Sequence, residues 1–337
     1  MIDFRYHLVS IIAVFLALAI GIVVGSTALQ PVVESGLQAT ETLLHRRIDQ
    51  VTQNNAALTQ GRSADQAFAQ AGESRLIGHL LTGQDVVLVT APSPDGKVVT
   101  GLTTALQAAG ATITGTVALQ APFFDDSDST EAKLSQLAQQ LASTAGLTIS
   151  GQNDGDAVAA QEAAAQVIAA AIASKTDPAV LTTAQSQAIL SGFAAAGYLQ
   201  VSGPAGSATS LPRAGLAMVV APAAPASASD VSPANLALLG VAEQLQAASH
   251  GTVLAGSAAG SGPGSAIDEA TGGGKVSTVD EADLATGQIM AVQALSFLLS
   301  GRPPASYGVH PGTAPSPAPT PSVTPTVTAN APHARSK

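Results

Sequence analysis

The sequence has no cysteine and no tryptophan, only three methionines, and 3% aromatic residues. Lack of cysteine removes disulfides, thiol nucleophiles and cysteine-ligated zinc together, and it is compatible with either side of a membrane. With so few aromatics, the core must be built from alanine, valine, isoleucine and leucine packed closely. Charge is also sparse. Charged residues make up 11% of the chain, the formal charge is -10 and the pI is near 4.8, which opposes the phosphate attraction that nucleic-acid binding needs.

One stretch lacks charge altogether. From Leu8 to Leu29 no ionisable side chain occurs, while Ile, Leu, Val, Ala and Phe fill most positions. A helix here satisfies its own backbone in hydrocarbon, and at about 1.5 Å per residue it is roughly 30 Å long, enough to cross a bilayer. A cleavable signal peptide, with Ser26 and Ala28 as the small residues before a cut, is the competing reading. Signal cores run only about 7–15 apolar residues, so the length favours an uncleaved anchor over residues 1–30. Arg5 precedes the run and the next basic residues are Arg46 and Arg47. This asymmetry places the N-terminus in the cytoplasm and the bulk of the chain outside it.

Residues 31–80 are polar and glutamine-rich, with Leu37, Leu44, Val51 and Leu58 recurring every seven positions. Such spacing predicts a helical, coiled-coil-like stalk that joins copies of the chain. Glu41, Ile48 and Asn55 occupy the partner positions, so the seam is weak, and an Asn there fixes register at a cost in stability. The alternative is a solvated helix packing its stripe on its own domain.

From Asp85 the grammar changes. DVVLVT is a compact β-branched run; APSPDG breaks the chain; Lys97–Ala109 reads as helix; and ATITGTVAL follows as a second strand. Strand, helix and strand in this order form the unit of a parallel sheet covered on both faces. YLQVSG, GLAMVVAP and GTVLAGS repeat the strand signal. Helices are expected at Ser129–Leu141, Asp156–Ala173, Thr182–Ala195, Val231–Ser249 and Thr286–Ser300. The expected fold class is α/β: five or six mainly parallel strands, doubly wound, in an extracytoplasmic domain over 81–301. Residues 302–337 are rich in Pro, Ala, Thr and Ser, a composition too poor in apolar surface to offset ordering entropy, and they read as a disordered tail.

Motifs for catalysis or cofactor binding are missing. TAPSPDG stands where a doubly wound fold seats phosphate, but two prolines replace the glycines. SGPGS near Gly262 and TGGGK at Thr271–Lys275 are not phosphate loops, since Val276 follows the lysine, and they read as mobile loop. There is no G-x-S-x-G elbow, and His7, His45, His79, His250, His310 and His333 are scattered. Asp125, Asp126, Asp128 and Glu131 lack the glycine and terminal glutamate of a calcium loop, and they read as helix-capping acids; so do Asp280, Glu281 and Asp283. Met1, Met218 and Met290 and the dispersed histidines form no soft-metal site, so no catalytic, cofactor or metal-binding residue is assigned.

Several blocks together resemble one family. MIDFRYHLVSIIAVFLALAIGIVVGS, the arginine pair and Gln-Asn pattern of the stalk, DVVLVTAPSPDG, AGATITGTVAL, VSTVDEADLATGQIMAVQALSFLLSG and YGVHPG are similar, in this order, to the actinobacterial copper transporter (MctB-like) family. The resemblance implies a non-enzymatic, oligomeric, channel-forming envelope protein that lowers internal copper, with copper ions as cargo and no resident cofactor. It implies an outer-membrane location, whereas the helical anchor fits the cytoplasmic membrane. A transmembrane barrel needs alternating strands of about ten residues, which this chain lacks, so a pore would require several copies. The alternative reading is a non-catalytic envelope scaffold, with an enzyme on the α/β domain a distant third.

Overall fold

The structure is a computed structural model and describes residues 4–149, 157–175, 180–203, 211–223 and 232–314. By its contacts the chain divides into two units, Met1–Asp65 and Gln66–Lys337.

The first unit is helical. A single helix, α1 (Phe4–Ile77), runs for 74 residues and crosses the unit boundary. It passes through Pro31 without interruption, where the sequence suggested that an anchor ends. An interior proline forfeits one backbone hydrogen bond, a loss that the many remaining turns absorb. Tyr6–Gly25 is the one candidate membrane span among the described residues, and its side chains are exposed throughout. Leu44, Val51 and Leu58 are exposed as well. The stalk is thus helical, and its described seam residues are not buried by any other described part of the chain.

The second unit is a mixed α/β domain. Its elements follow as β1 (Asp85–Thr90), α2 (Gly96–Ala108), β2 (Thr112–Leu119), α3 (Asp128–Ala145), α4 (Ala157–Ile172) and α5 (Thr183–Ala195). Then come β3 (Leu199–Ser202), β4 (Leu216–Val220), α6 (Pro233–Ala248), β5 (Gly251–Ala255), α7 (Ala266–Gly273), β6 (Ser277–Val279), α8 (Ala285–Leu299) and β7 (Ser306–Tyr307). The strands form one seven-stranded sheet in the order β3-β2-β1-β4-β5-β6-β7. All neighbours are parallel except β3, which runs antiparallel to β2 at one edge.

Side-chain alternation along the strands fills two cores. Val87, Val89, Ala217, Val219 and Leu254 face one side with residues of α3 to α7. Val86, Leu88, Met218, Val253 and Val279 face the other with residues of α2 and α8. Burial on both faces is why these strands read as unbroken apolar runs. The last turns of α1 belong to the second core through Ala69 and Ile77, so the helix expected to end as a stalk finishes as a layer of the domain.

Three local expectations are corrected. TGGGK is not a loop throughout, because Thr271–Gly273 closes α7 and Gly274 caps it in the left-handed conformation that glycine adopts without strain. Lys275 then pairs with Glu243 at 2.9 Å. The domain continues past Gly301, since Ser306–Tyr307 adds a strand to β6 and Tyr307 bridges to Ala314. Seven strands replace the five or six expected, β6 and β7 being the short ones that the apolar pattern missed. The tail beyond Ala314 lies outside the described residues.

Candidate functional site

In an open parallel sheet, ligands meet the crevice outside the carboxyl ends of the strands, where the strand order reverses. Here β1 and β4 flank that point. The loops leaving them pair with each other: Ala91 N–H donates to Val220 O at 2.9 Å, Ala223 N–H donates to Ser93 O at 3.1 Å, and Pro94 bridges Pro222. Ser93 adopts φ 51° to make this turn. Asp95 then caps α2 by accepting from Lys97 N–H at 2.8 Å. Its carboxylate takes the place where a bound phosphate would accept, and repels one.

At the same end of the sheet lies a polar clasp. Asp280 follows β6 and is fully buried. Its Oδ1 and Oδ2 accept from Val309 N–H at 3.0 and 3.1 Å, and Oδ2 accepts from His310 N–H at 2.7 Å. Asp280 N–H donates to Tyr307 O at 3.3 Å, and Ser261 Oγ donates to Asp280 O at 3.4 Å. Gly308 passes against the carboxylate at φ 142°, where an added Cβ would collide with Asp280. Burial pushes the Tyr307 phenol up from its ordinary value, outweighing the downward pull of Arg302, so it stays neutral. Asp280 therefore does not cap α8, as its position before that helix suggested. It binds a segment nearly thirty residues downstream and joins two sequence blocks that carry the family resemblance. In the acidic group at 125–131, Asp128 and Glu131 lie in the first turn of α3 as expected, but no side chain caps the helix at Ser127; Asp125 instead accepts from Ser127 N–H at 3.0 Å and from Thr130 Oγ1 at 2.9 Å. These bonds hold its carboxyl below the ordinary aspartate value.

The N-terminal turns of α2 and α8 and the end of α1 line an open surface depression. Gln66 of α1 caps α8, its Oε1 accepting from Ala285 N–H at 3.3 Å. Gln288 donates through Nε2 to Ala282 O at 3.1 Å and lies over Gly101, where a Cβ would overlap its amide. No local motif announces either glutamine, because their partners come from distant sequence.

Metal ligands are not gathered. Among the described residues no group of three or more His, Asp or Glu could hold an ion. Met218 and Met290 are buried in the second core. His45 lies 3.9 Å from Glu41 on exposed α1, whereas His79 sits within the turn after α1, at φ 68°, and His310 sits at the clasp.

Residues 1–318 match the family model for "Copper transport outer membrane protein, MctB". The chain belongs to this family. The MctB match takes in α1, the whole described α/β domain and the clasp. Copper transporter MctB of Mycobacterium tuberculosis (strain ATCC 25618 / H37Rv) is 28% identical over 323 residues, covering 93% of this chain and 98% of that protein. Its namesake in Mycobacterium bovis (strain ATCC BAA-935 / AF2122/97) gives the same identity and coverage. Copper transporter MctB of Mycobacterium leprae (strain TN) is 29% identical over 319 residues, with 93% and 98% coverage. Family membership and the apolar Tyr6–Gly25 helix together point to an envelope membrane protein. A family named for transport points away from an enzyme.

Proposed function

We propose that this protein is a single-pass envelope protein of copper homeostasis whose copies associate and lower the copper content of the cell. The observation that carries this reading is the match to the MctB family over residues 1–318. In this reading copper ions are cargo. Arg5 keeps the N-terminus in the cytoplasm and the α/β domain lies outside. With one candidate span among the described residues, a conducting path would need several copies, and the exposed Leu44, Val51 and Leu58 offer them a surface. The uncleaved helix favours the cytoplasmic membrane and the family description favours the outer one; fractionation of a tagged chain, with the intact mass of its N-terminus, decides between them. The functional test compares copper accumulation and copper tolerance of a deletion strain with wild type. Higher accumulation and lower tolerance are expected, and unchanged values would remove the transport role.

A second reading is an envelope scaffold that affects copper indirectly. Core burial of Met218 and Met290 favours it, since thioethers packed among aliphatics are poorly placed to take a passing ion. Titration of the purified protein with copper separates the two readings: stoichiometric micromolar binding is incompatible with a purely structural role.

A further inference from the structure

We propose that α1 pairs with α1 of a second copy, parallel and in register, as a two-stranded coiled coil over residues 44–58. This pairing rests on the association of copies proposed above and gives it a partner number, a direction and a register. Leu44, Val51 and Leu58 fall at position d of a heptad, and Ile48 and Asn55 at position a. No other branched aliphatic or aromatic residue occurs between Leu44 and Leu58. The four aliphatics are each more than half exposed. A helix draws most of its stability from packing such a stripe, and no other described residue covers this one.

A second copy is the occupant that these residues fit. Asn55 stands in the middle of the stripe, and in an unrelated apolar groove its amide would be buried without a partner. Opposite the same residue of another copy at the same height, each amide can donate to the other and accept from it. The membrane span brings that copy to the same height. Tyr6–Gly25 lies on the same continuous helix, so copies anchored in one membrane carry their stalks side by side and in one direction. Charge does not oppose the pairing either, because the flanking g and e positions set Arg47 against Thr52 and Asn54 against Thr59.

The side chains also choose the number of strands. Ile at a with Leu at d favours two, and an Asn at a fixes that number at a cost in stability. Glu41 and Arg62 take the next inward positions on either side, so the apolar seam is only two heptads long. A coiled coil is ordinarily sustained over about three or four heptads, so this one needs the raised effective concentration that the shared membrane supplies.

The test keeps the full chain in its membrane. The protein has no cysteine, so Leu44→Cys, Leu58→Cys and, on the opposite side of the helix, Gln53→Cys each carry a single thiol. After mild oxidation of isolated membranes with diamide, the 44 and 58 variants should each link to themselves as dimers and the 53 variant should not. Co-expressed with different tags, the 44 and 58 variants should not link to each other. Adding Leu58→Asp should lower linking at 44 by about tenfold or more, as loss of apolar burial on two chains implies. Fluorescently labelled protein in membrane particles should bleach in two steps, and Asn55→Ile should add traces with more than two. Equal linking at 53, mixed 44–58 linking, linkage of the seam thiols to another protein, or indifference to Leu58→Asp or Asn55→Ile would each overturn the pairing. More than two bleaching steps without seam linking would overturn it and leave the association of copies standing, whereas single-step bleaching without linking would remove both.

Discussion

The Asp280 carboxylate reaches His310 N–H at 2.7 Å, and through this contact β6 holds the last segment of the domain. Asp280→Asn keeps the shape but turns one acceptor oxygen into a donor facing backbone N–H groups. A buried polar group left without its partner costs about 1–3 kcal/mol. For a domain of this size that is a fall in Tm of about 2–4 °C per kcal/mol. Amide exchange should quicken first at Val309 and His310. Unchanged protection at these two amides would show that the carboxylate does not hold the segment.

Gly308→Ala should have a related effect by a different route. The residue adopts φ 142°, a region that side chains rarely enter, and the new methyl would meet the Asp280 carboxyl. Segment 308–314 should come away from β6 while β1, β4 and β5 keep their exchange protection. A crosspeak map of the variant that overlays wild type at 306–314 would contradict this.

How much of this could be read from sequence depends on what hides each element from water. β1, β4 and β5 are apolar along their length because helices cover both faces, so DVVLVT, LAMVV and GTVLA announce themselves. β6 and β7 are the polar STV and SY, held by partners remote in sequence, and no local period reveals them. α7 was hidden by its closing glycines. Asp280, Glu281 and Asp283 looked alike in sequence as acids before a helix; only tertiary structure separates the buried Asp280 from Asp283, which accepts from Ala258 N–H at 3.4 Å. The cap that Gln66 supplies to α8 spans 219 residues and leaves no local trace.

Gly287→Ala in α8 tests how tightly the 280–284 turn is packed. The glycine is buried, and an added Cβ would collide with the main chain at Glu281 O. Backbone cannot move aside as a flexible side chain can, so a loss of about 1–3 kcal/mol or more is expected, with the clasp loosened as a consequence. Chemical denaturation should show a lower midpoint; an unchanged midpoint would mean that the turn yields freely.

Acid should act on α3 before it acts on the core. Asp125 has its folded-state pKa lowered, chiefly by the Ser127 N–H and then by the Thr130 hydroxyl. A depressed carboxyl stabilises the fold above its unfolded value, and that contribution disappears as pH falls through the folded value. The window therefore lies below the ordinary aspartate range. Because Asp125 is exposed, the effect should be local fraying of α3 and not global unfolding. The side-chain carbonyl shift of Asp125, followed by NMR, should titrate below that of a reference aspartate, and Thr130→Val should move it upward.

The membrane reading places its strongest demand on the middle of Tyr6–Gly25. Leu16 is exposed on α1, so among the described residues nothing buries its side chain. Leu16→Arg places a charge at mid-span, which costs about 2.5–3.5 kcal/mol for insertion. Leu16→Phe preserves apolarity and serves as the control. If the helix spans a bilayer, the arginine variant should shift from the carbonate-resistant membrane fraction toward the soluble or degraded pool, while the phenylalanine variant stays. Equal membrane retention of both would locate the attachment elsewhere, and would leave α1 as an extended solvent-exposed helix with an apolar surface still in need of a partner.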